Sequence, residues 1–345
     1  MKAIHLIKKG AAEKAFEIRE IPTPEPKNDE VLIKVECFGL NYADVMARNG
    51  LYREAPPMPS VLGYEVVGTI EKIGADVSPS LQGQRVVAFT RFGGYAEYAV
   101  TRDVACAVID EMDAGVAACI ATQFVTAYYM AYECVNVFAG DRVLVHAGAG
   151  GVGTALIQMC KLQGAEVFTT AGNDEKLEYV KEQGADHAIN YRKVEYADEV
   201  RRLISGKRLD ITFNPIAGST FKKDMSLVGS GGKVVVFGGS ERSGKKWGIF
   251  STLNFVRKMG LMIPIGLMMR SKSVIGVNML KIGDNHPVAL TRSLKAVVEM
   301  VKGGQLKPHV RAKYSFQDID KAHELLESRK SIGKVVVYWG DVNKK

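Results

Sequence analysis

Residues 143–153 read VLVHAGAGGVG, and residues 154–164 continue as TALIQMCKLQG. A short apolar run closes on Gly148-Ala149-Gly150-Gly151-Val152-Gly153, and an amphipathic segment begins without a break. Strand, glycine turn and helix in that order turn a G-x-G-x-x-G spacing into a dinucleotide site. Gly148 allows the tight turn, Gly150 lets backbone approach a pyrophosphate, and Gly153 lets the helix pack close to the strand. The free N–H groups and positive end of that helix then face the phosphates, with Gly151 and Val152 in its first turn. A second strand, AEVFTT, follows over 165–170. An NAD site places Asp or Glu about 20 residues past the first glycines, on the ribose 2′-hydroxyl. Here that place holds Thr170, Ala171, Gly172 and Asn173. Asp174 and Glu175 read as first-turn acids of a helix over 174–183, where the helix dipole favours them. With no acid at the strand end and Lys176 close by, the chain favours NADPH over NADH.

At 345 residues the expectation is two domains. A hydrophobic content of 47% describes a chain with ample core. The five cysteines, 37, 106, 119, 134 and 160, form no C-x-x-C, so reduced and mostly buried thiols are expected. The N-terminus carries no secretory h-region, and no run of about 18 uninterrupted apolar residues occurs. A cytoplasmic location is the expectation. The net charge of +8 is concentrated: residues 240–272 hold Arg242, Lys245, Lys246, Arg257, Lys258, Arg270 and Lys272 against Glu241 alone. The same stretch is rich in apolar residues, among them Trp247, Phe250, Leu253 and the run GLMIPIGLMM. Two readings stay open there: an insertion packed on a cleft or dimer face, and a peripheral contact with membrane lipid. Nucleic acid is disfavoured, because the segment lacks regularly interleaved aromatics.

Residues 1–110 show short strand patterns punctuated by Pro22, Pro24, Pro26, Pro56, Pro57 and Pro59. From about 113 the pattern changes to a long helix over 114–134 and then to alternating strands and helices. Strands are expected over 142–147, 165–170, 187–190, 209–213, 233–237 and 273–278. Such a βαβ series implies a parallel sheet covered on both faces, so the fold class is α/β with a β-rich partner domain. After about 308 the pattern is strand, helix, strand, which suggests a return to the first domain.

Several motifs carry a resemblance. They include Gly39-Leu-Asn41-Tyr-Ala-Asp44, Arg48-Asn-Gly50-Leu-Tyr52, Pro59-Ser-Val-Leu-Gly63-Tyr64-Glu65 and Gly94-Tyr-Ala-Glu97. Gly140-Asp141-Arg-Val-Leu-Val-His146, the glycine turn, Gln183-Gly-Ala-Asp186 and Ser331-Ile-Gly333-Lys334 extend the match over essentially the whole chain. Together they resemble the medium-chain dehydrogenase/reductase superfamily and, within it, the zinc-independent quinone oxidoreductases. Gly304-Gln-Leu-Lys-Pro308-His309 and the insertion after Gly239 look most like the vesicle amine transport protein branch. The resemblance implies a GroES-like catalytic domain over 1–122 and 309–345. It also implies a Rossmann domain over 123–308, an active site in the cleft between the two, and a homodimer joined along 273–280.

Zinc-containing members of the superfamily place a Cys and a His at the positions held here by Asn41 and Tyr64. Neither residue is a zinc ligand of the usual thiolate, imidazole or carboxylate kind. His5, His146, His187, His286, His309 and His323 show no ligand spacing, and no four-Cys lobe lies between Phe89 and Met112. No metal is therefore expected. An acceptor that needs little Lewis-acid help is expected instead, a quinone or an α,β-unsaturated carbonyl, because added hydride gives a delocalised product. By resemblance, Asn41, Tyr52 and Tyr64 border the substrate and are candidates to hold the developing oxyanion. Met46 stands where many relatives have a further Tyr. Also by resemblance, Thr126 meets the nicotinamide amide, and Gly148, Gly150, Gly151, Val152 and Gly153 cradle the pyrophosphate. Gly172, Lys176 and Tyr191 form a 2′-phosphate pocket, and Phe237, Gly238, Asn278 and Lys334 approach the cofactor. His146 is read as a structural residue at a buried strand end. The leading function is an NADPH-dependent quinone or enone reductase. The alternative is an NADPH-binding protein that meets lipid or a partner with little turnover.

Overall fold

The computed structural model describes residues 1–242, 248–340 and 342. Contacts divide the chain into two compact units, residues 1–126 with 280–345, and residues 127–279. Lys245, Lys246 and Trp247 of the basic stretch lie outside the described residues.

The first unit opens with β1 (Lys2–Leu6), β2 (Phe16–Glu20), β3 (Glu30–Leu40), α1 (Tyr42–Arg48), β4 (Ser60–Val61), β5 (Glu65–Ile73), β6 (Arg85–Phe89), β7 (Tyr98–Arg102) and β8 (Cys106–Val108). A continuous helix follows from Ala114 to Cys134. It contains the α-helical pieces α2 (Ala114–Ala117) and α3 (Val125–Tyr128), joined and continued by wider turns over Ile120–Phe124 and Tyr129–Cys134. By length and composition this helix could cross a membrane, but 67% of its apolar window is buried inside the protein, as in a core helix.

The second unit runs β9 (Arg142–Val145), α4 (Gly151–Leu162), β10 (Glu166–Ala171), α5 (Asp174–Glu182), β11 (His187–Asn190), α6 (Tyr196–Ile204), β12 (Leu209–Asn214), α7 (Phe221–Leu227), β13 (Val228–Val236), α8 (Gly248–Met259), α9 (Pro264–Arg270) and β14 (Ser273–Gly276). Its six strands lie in the order β11-β10-β9-β12-β13-β14, every pair parallel. The central strand β9 is apolar through its length because both faces are covered: Val143, Leu144 and Val145 are fully buried. Val143 stands opposite Val167 on one side and Ile211 on the other. All six strands expected from the sequence form, with ends displaced by a few residues.

The chain then adds α10 (Met279–Asn285), α11 (Pro287–Lys302), β15 (Val310–Ser315), α12 (Ile319–Glu327) and β16 (Lys334–Tyr338). β16 inserts antiparallel beside β3, in a sheet ordered β15-β16-β3-β5-β6-β8 with β7 also paired to β3. The C-terminal tail thus joins the β-rich unit. Residues 280–308, assigned from the sequence to the Rossmann domain, group with the β-rich unit in the contact pattern. The Thr291 hydroxyl donates to Val104 O at 2.6 Å, and Lys302 pairs with Asp110 at 2.7 Å. A helix belongs to the unit against which it packs, and amphipathic pattern alone does not say which that is.

One ionic contact secures the tail. Lys334 at the start of β16 pairs with Glu65 at the start of β5, both side chains fully buried. Its ammonium also donates to Asn41 Oδ1 at 2.8 Å. Removing one member of a buried pair strands the other charge, which costs about 3–5 kcal/mol. Lys334→Met should lower the unfolding free energy by that amount in urea denaturation. The double variant Lys334→Met, Glu65→Gln should recover part of the loss.

Candidate functional site

The glycine turn has the construction that a phosphate cradle requires. Gly148 N–H donates to Thr170 O at 3.1 Å, and Gly150 N–H to Ala147 O at 3.0 Å. A Cβ on Gly148 would sit 2.0 Å from Thr169 Oγ1, and one on Gly153 would sit 2.4 Å from Ala147 O. Both positions exclude any side chain. A Cβ on Gly150 would meet only Ala147 O, at 3.3 Å, so that face of the turn is otherwise open. No side chain caps α4, whose first turn holds Gly151, Val152 and Gly153. Open backbone at an uncapped helix start suits an anion. Ala147 carries φ +53°, a strained value for a non-glycine residue held at the mouth of the turn.

Beneath the turn lies a buried polar network. His146 Nε2 lies 3.0 Å from Asp224 Oδ1, and its Nδ1 lies 3.2 Å from Thr170 Oγ1. The Tyr196 hydroxyl donates to Asp224 at 2.8 Å, and Asn214 Nδ2 donates to it at 2.6 Å. His146 therefore joins the ends of β9, β10 and β12 to α6 and α7. It is the structural residue expected from its place at a strand end. Asn214 is consumed in the same network.

At the end of β10, Gly172 lies against Tyr191. A Cβ there would come within 2.8 Å of the tyrosine hydroxyl and 3.4 Å of Arg192 Nε. Lys176 is half-buried in the first turn of α5, its N–H held by Asn173 Oδ1 at 2.9 Å. Gly172 and Tyr191, far apart in the chain, are thus brought together, and Arg192 joins them. Sequence reasoning missed Arg192; its position directly after Tyr191 was the available signal. Asp174 pairs with Lys193 at 2.9 Å, and the Lys193 ammonium holds its carboxyl below the usual range. The acid nearest the strand end is already matched to a cation.

The remaining cofactor candidates are placed individually. Thr126 is buried, its hydroxyl donating to Thr122 O at 2.5 Å. Phe237 is half-buried, its N–H donating to Asn214 O at 3.2 Å, and Gly238 approaches Pro215 so closely that a Cβ would meet Pro215 O at 2.6 Å. Asn278 is exposed and follows the end of β14. Lys334 is 1% exposed and committed to Glu65 and Asn41.

The three acceptor-side candidates share the first unit but differ in kind. The Asn41 amide is spent internally: its Nδ2 donates to Glu65 Oε1 at 2.9 Å, and its Oδ1 accepts from Lys334. Glu65 Oε2 in turn accepts the Thr122 N–H at 2.8 Å. Tyr64 is 2% exposed, and its hydroxyl has no partner at normal hydrogen-bond geometry. Burial pushes its pKa far above the usual tyrosine range. Tyr52 is half-buried and meets Tyr64 edge to face, ring centroids 6.2 Å apart. Burial raises its pKa to about 12, and the nearby Tyr64 hydroxyl pulls the other way. Both phenols therefore remain protonated through the neutral range and can donate. Among the described residues, no three His, Cys, Asp or Glu side chains converge as a metal-ligand set. The cysteines are free, and burial raises the pKa of all five thiols.

Comparison with known proteins matches both parts of the chain to described families. Residues 27–111 match the family described as alcohol dehydrogenase GroES-like domain, and residues 151–292 match the family described as zinc-binding dehydrogenase. The chain is 31% identical to the quinone oxidoreductase of Homo sapiens, over 98% of this chain and 97% of that protein. It is 32% identical to the synaptic vesicle membrane protein VAT-1 homolog of Danio rerio, over 91% of this chain and 65% of that longer protein. The crystal structure of Escherichia coli quinone oxidoreductase complexed with NADPH superposes with a TM-score of 0.85 at 25% identity, covering 98% of this chain and all of that one.

The turn makes a sharp prediction. Gly148→Ala must displace Thr169 or the turn itself, at a cost of about 1–3 kcal/mol. Dinucleotide affinity, measured by isothermal titration calorimetry, should fall by roughly 5- to 150-fold while the circular dichroism spectrum is retained.

Proposed function

Because the chain belongs to the medium-chain dehydrogenase/reductase superfamily, we propose that it is an NADPH-dependent reductase of quinones or α,β-unsaturated carbonyls. The observation that carries this reading is the paired construction of the second unit. A side-chain-free glycine turn opens a helix, and a strand end without an acid is flanked by Lys176, Tyr191 and Arg192. The family supports the oxidoreductase class and NADPH as its dinucleotide. The acceptor is our inference from the sequence and the site. When bound, the reduced nicotinamide supplies hydride, and the protein's task is to orient it and to manage the proton.

Backbone N–H groups of Gly151, Val152 and Gly153 would hold the pyrophosphate. Lys176, Tyr191 and Arg192 would hold the 2′-phosphate by charge-assisted hydrogen bonds, the stronger kind. On the acceptor side, the outer phenol Tyr52 is the group with both a donor hydroxyl and access. Asn41 supports the site from within, through Lys334 and Glu65. With Asn41 and Tyr64 at the zinc-ligand positions of metal-dependent relatives, the reading requires no metal. We further propose a cytoplasmic homodimer. α9 buries none of its own side chains, and β14 is the last strand of its sheet, an edge a second copy could extend.

One observation favours the second reading, an NADPH-binding protein that meets lipid or a partner. Leu253, Val256, Leu261, Ile263, Met268 and Met269 are all more than half exposed, and no acid occurs from Arg242 to Gly283. Co-sedimentation with anionic vesicles beside size-exclusion chromatography separates lipid binding from dimer formation.

The primary test follows NADPH oxidation at 340 nm with a panel of quinones and enones, with and without chelator, beside NADH. Chelator-resistant turnover that prefers NADPH is expected. NADPH binding without turnover of any acceptor would sink the reductase reading in favour of the second. In the same assay Arg192→Ala should raise KM for NADPH by about tenfold or more, the loss of a hydrogen bond to a charged group, and leave KM for NADH unchanged.

A further inference from the structure

The buried network of the second unit has one member on which the others converge. Asp224, in the middle of α7, is fully buried. Its two carboxylate oxygens receive three donors: His146 Nε2 at 3.0 Å, the Tyr196 hydroxyl at 2.8 Å and Asn214 Nδ2 at 2.6 Å. Two arms leave this point. One runs through His146. With its Nε2–H directed at the carboxylate, Nδ1 accepts from the Thr170 hydroxyl at 3.2 Å, and Thr170 Oγ1 in turn accepts the Ala147 N–H at 3.3 Å. The other runs through Asn214, whose Oδ1 accepts the N–H groups of Ile216 and Ala217, each at 2.8 Å. Both arms end on an alanine in the left-handed region, Ala147 at φ +53° and Ala217 at φ +54°. A residue with a side chain seldom holds that conformation, and it persists only where the surrounding bonds impose it.

The two alanines lie on either side of the place where the strand order reverses. From β9 the chain proceeds outward through β10 and β11, and from β12 it proceeds the other way through β13 and β14, so β9 and β12 are neighbours at the centre. Ala147 follows β9 and Ala217 follows β12. A dinucleotide in such a sheet lies across this point, outside the carboxyl ends of the strands. The loop after β12 also carries the end of β13: Asn214 O accepts the Phe237 N–H at 3.2 Å, and Pro215 O accepts the Ser240 N–H at 3.1 Å. We infer that Asp224 is a positioning residue for the dinucleotide, fixing the glycine turn and the loop after β12 to one another so that both halves of NADPH meet preformed walls. The inference rests on the NADPH-dependent reading above. Asp224 touches neither cofactor nor acceptor in this scheme; it acts through Ala147 and Ala217.

The position suits a carboxylate. Three N–H or O–H donors point at it, whereas an amide offers one oxygen and turns its own N–H toward the remaining donors. A buried donor left facing a donor must turn away, and an arm then loses its anchor. Preformed loops bind without the ordering cost that loose ones carry, so affinity for the whole dinucleotide reads the coupling. The proposed 2′-phosphate pocket does not read it. Gly172, Tyr191 and Arg192 stand at the ends of β10 and β11, on one side of the reversal. A ligand confined to that pocket should not sense Asp224.

Adenosine 2′-monophosphate is such a ligand, since it carries the 2′-phosphate but neither pyrophosphate nor nicotinamide. The test uses the full chain. NADPH affinity is measured by fluorescence titration, and that of adenosine 2′-monophosphate by displacement of NADPH. Asp224→Asn should weaken NADPH by about tenfold or more, the loss of a hydrogen bond to a charged group, and leave adenosine 2′-monophosphate unchanged. Thr170→Val keeps the side chain's shape and cuts only the arm to Ala147. It should weaken NADPH in the same selective way but by less, and it decides the matter if Asp224→Asn fails to fold. The double variant should bind NADPH no more weakly than Asp224→Asn, because both changes act along one arm. A folded Asp224→Asn that binds NADPH as the wild type does overturns the inference. An equal loss of both ligands also overturns it, since that marks a general loosening of the unit. A wild-type protein that binds no NADPH overturns the dinucleotide reading and the inference with it.

Discussion

The buried ion pair between Lys334 and Glu65 is the constraint on which the acceptor side depends. Two opposite charges removed from water are tolerable only when nearly every remaining donor and acceptor is used. Here Asn41 supplies the missing partners: its carbonyl takes a lysine proton, and its amide returns one to Glu65. The Thr122 N–H satisfies the other carboxylate oxygen. In this way four segments far apart in sequence are fixed to a common point: β16, β5, the residue that caps α1, and the long helix. Close packing adds to the constraint. A Cβ on Gly39 would meet Lys334 at 2.3 Å and Ala118 O at 2.7 Å, so β3 passes the pair with no room for a side chain. Around the pair the structure places an amide and, as its buried cation, a fixed ammonium.

The second unit uses the same device in a different setting. His146, Asp224, Tyr196, Asn214 and Thr170 form a closed buried network under the glycine turn. A buried network with its members satisfied rigidifies what it joins, and what it joins are three adjacent strand ends. Sheets of this topology bind ligands at the carboxyl ends of their strands. The network thus lies where rigidity preserves a cradle made of backbone, whose shape no side chain can adjust.

The candidate nucleotide side could be read from the sequence because its signals are local. Gly148, Gly150 and Gly153 state a backbone requirement within six residues, and the apolar run of β9 states burial on both faces. The missing acid at the end of β10 was likewise read from neighbouring positions. Arg192 was not read, because its approach to Gly172 comes from the pairing of β10 with β11, a long-range contact. The acceptor side was legible only in outline. Asn41, Tyr52 and Tyr64 were singled out as equivalent candidates, yet burial separates them into a spent amide, an enclosed phenol and an accessible one. Lys334 was assigned to the cofactor from its place after a glycine; its partners Asn41 and Glu65 lie more than 250 residues earlier in the chain.

The sequence by itself determined the two kinds of unit, the order of the βαβ strands and the glycine turn. Each of these follows from residue periodicity or from a conformational demand that neighbouring residues meet among themselves. Only the tertiary structure decided that residues 280–308 pack with the β-rich unit, that Lys334 closes on Glu65 and Asn41, and that Tyr64 is enclosed while Tyr52 is not. Those outcomes depend on desolvation and on contacts between distant segments. A side chain's charge state and reach are set by what surrounds it, and in this chain the surroundings come from the far end of the sequence.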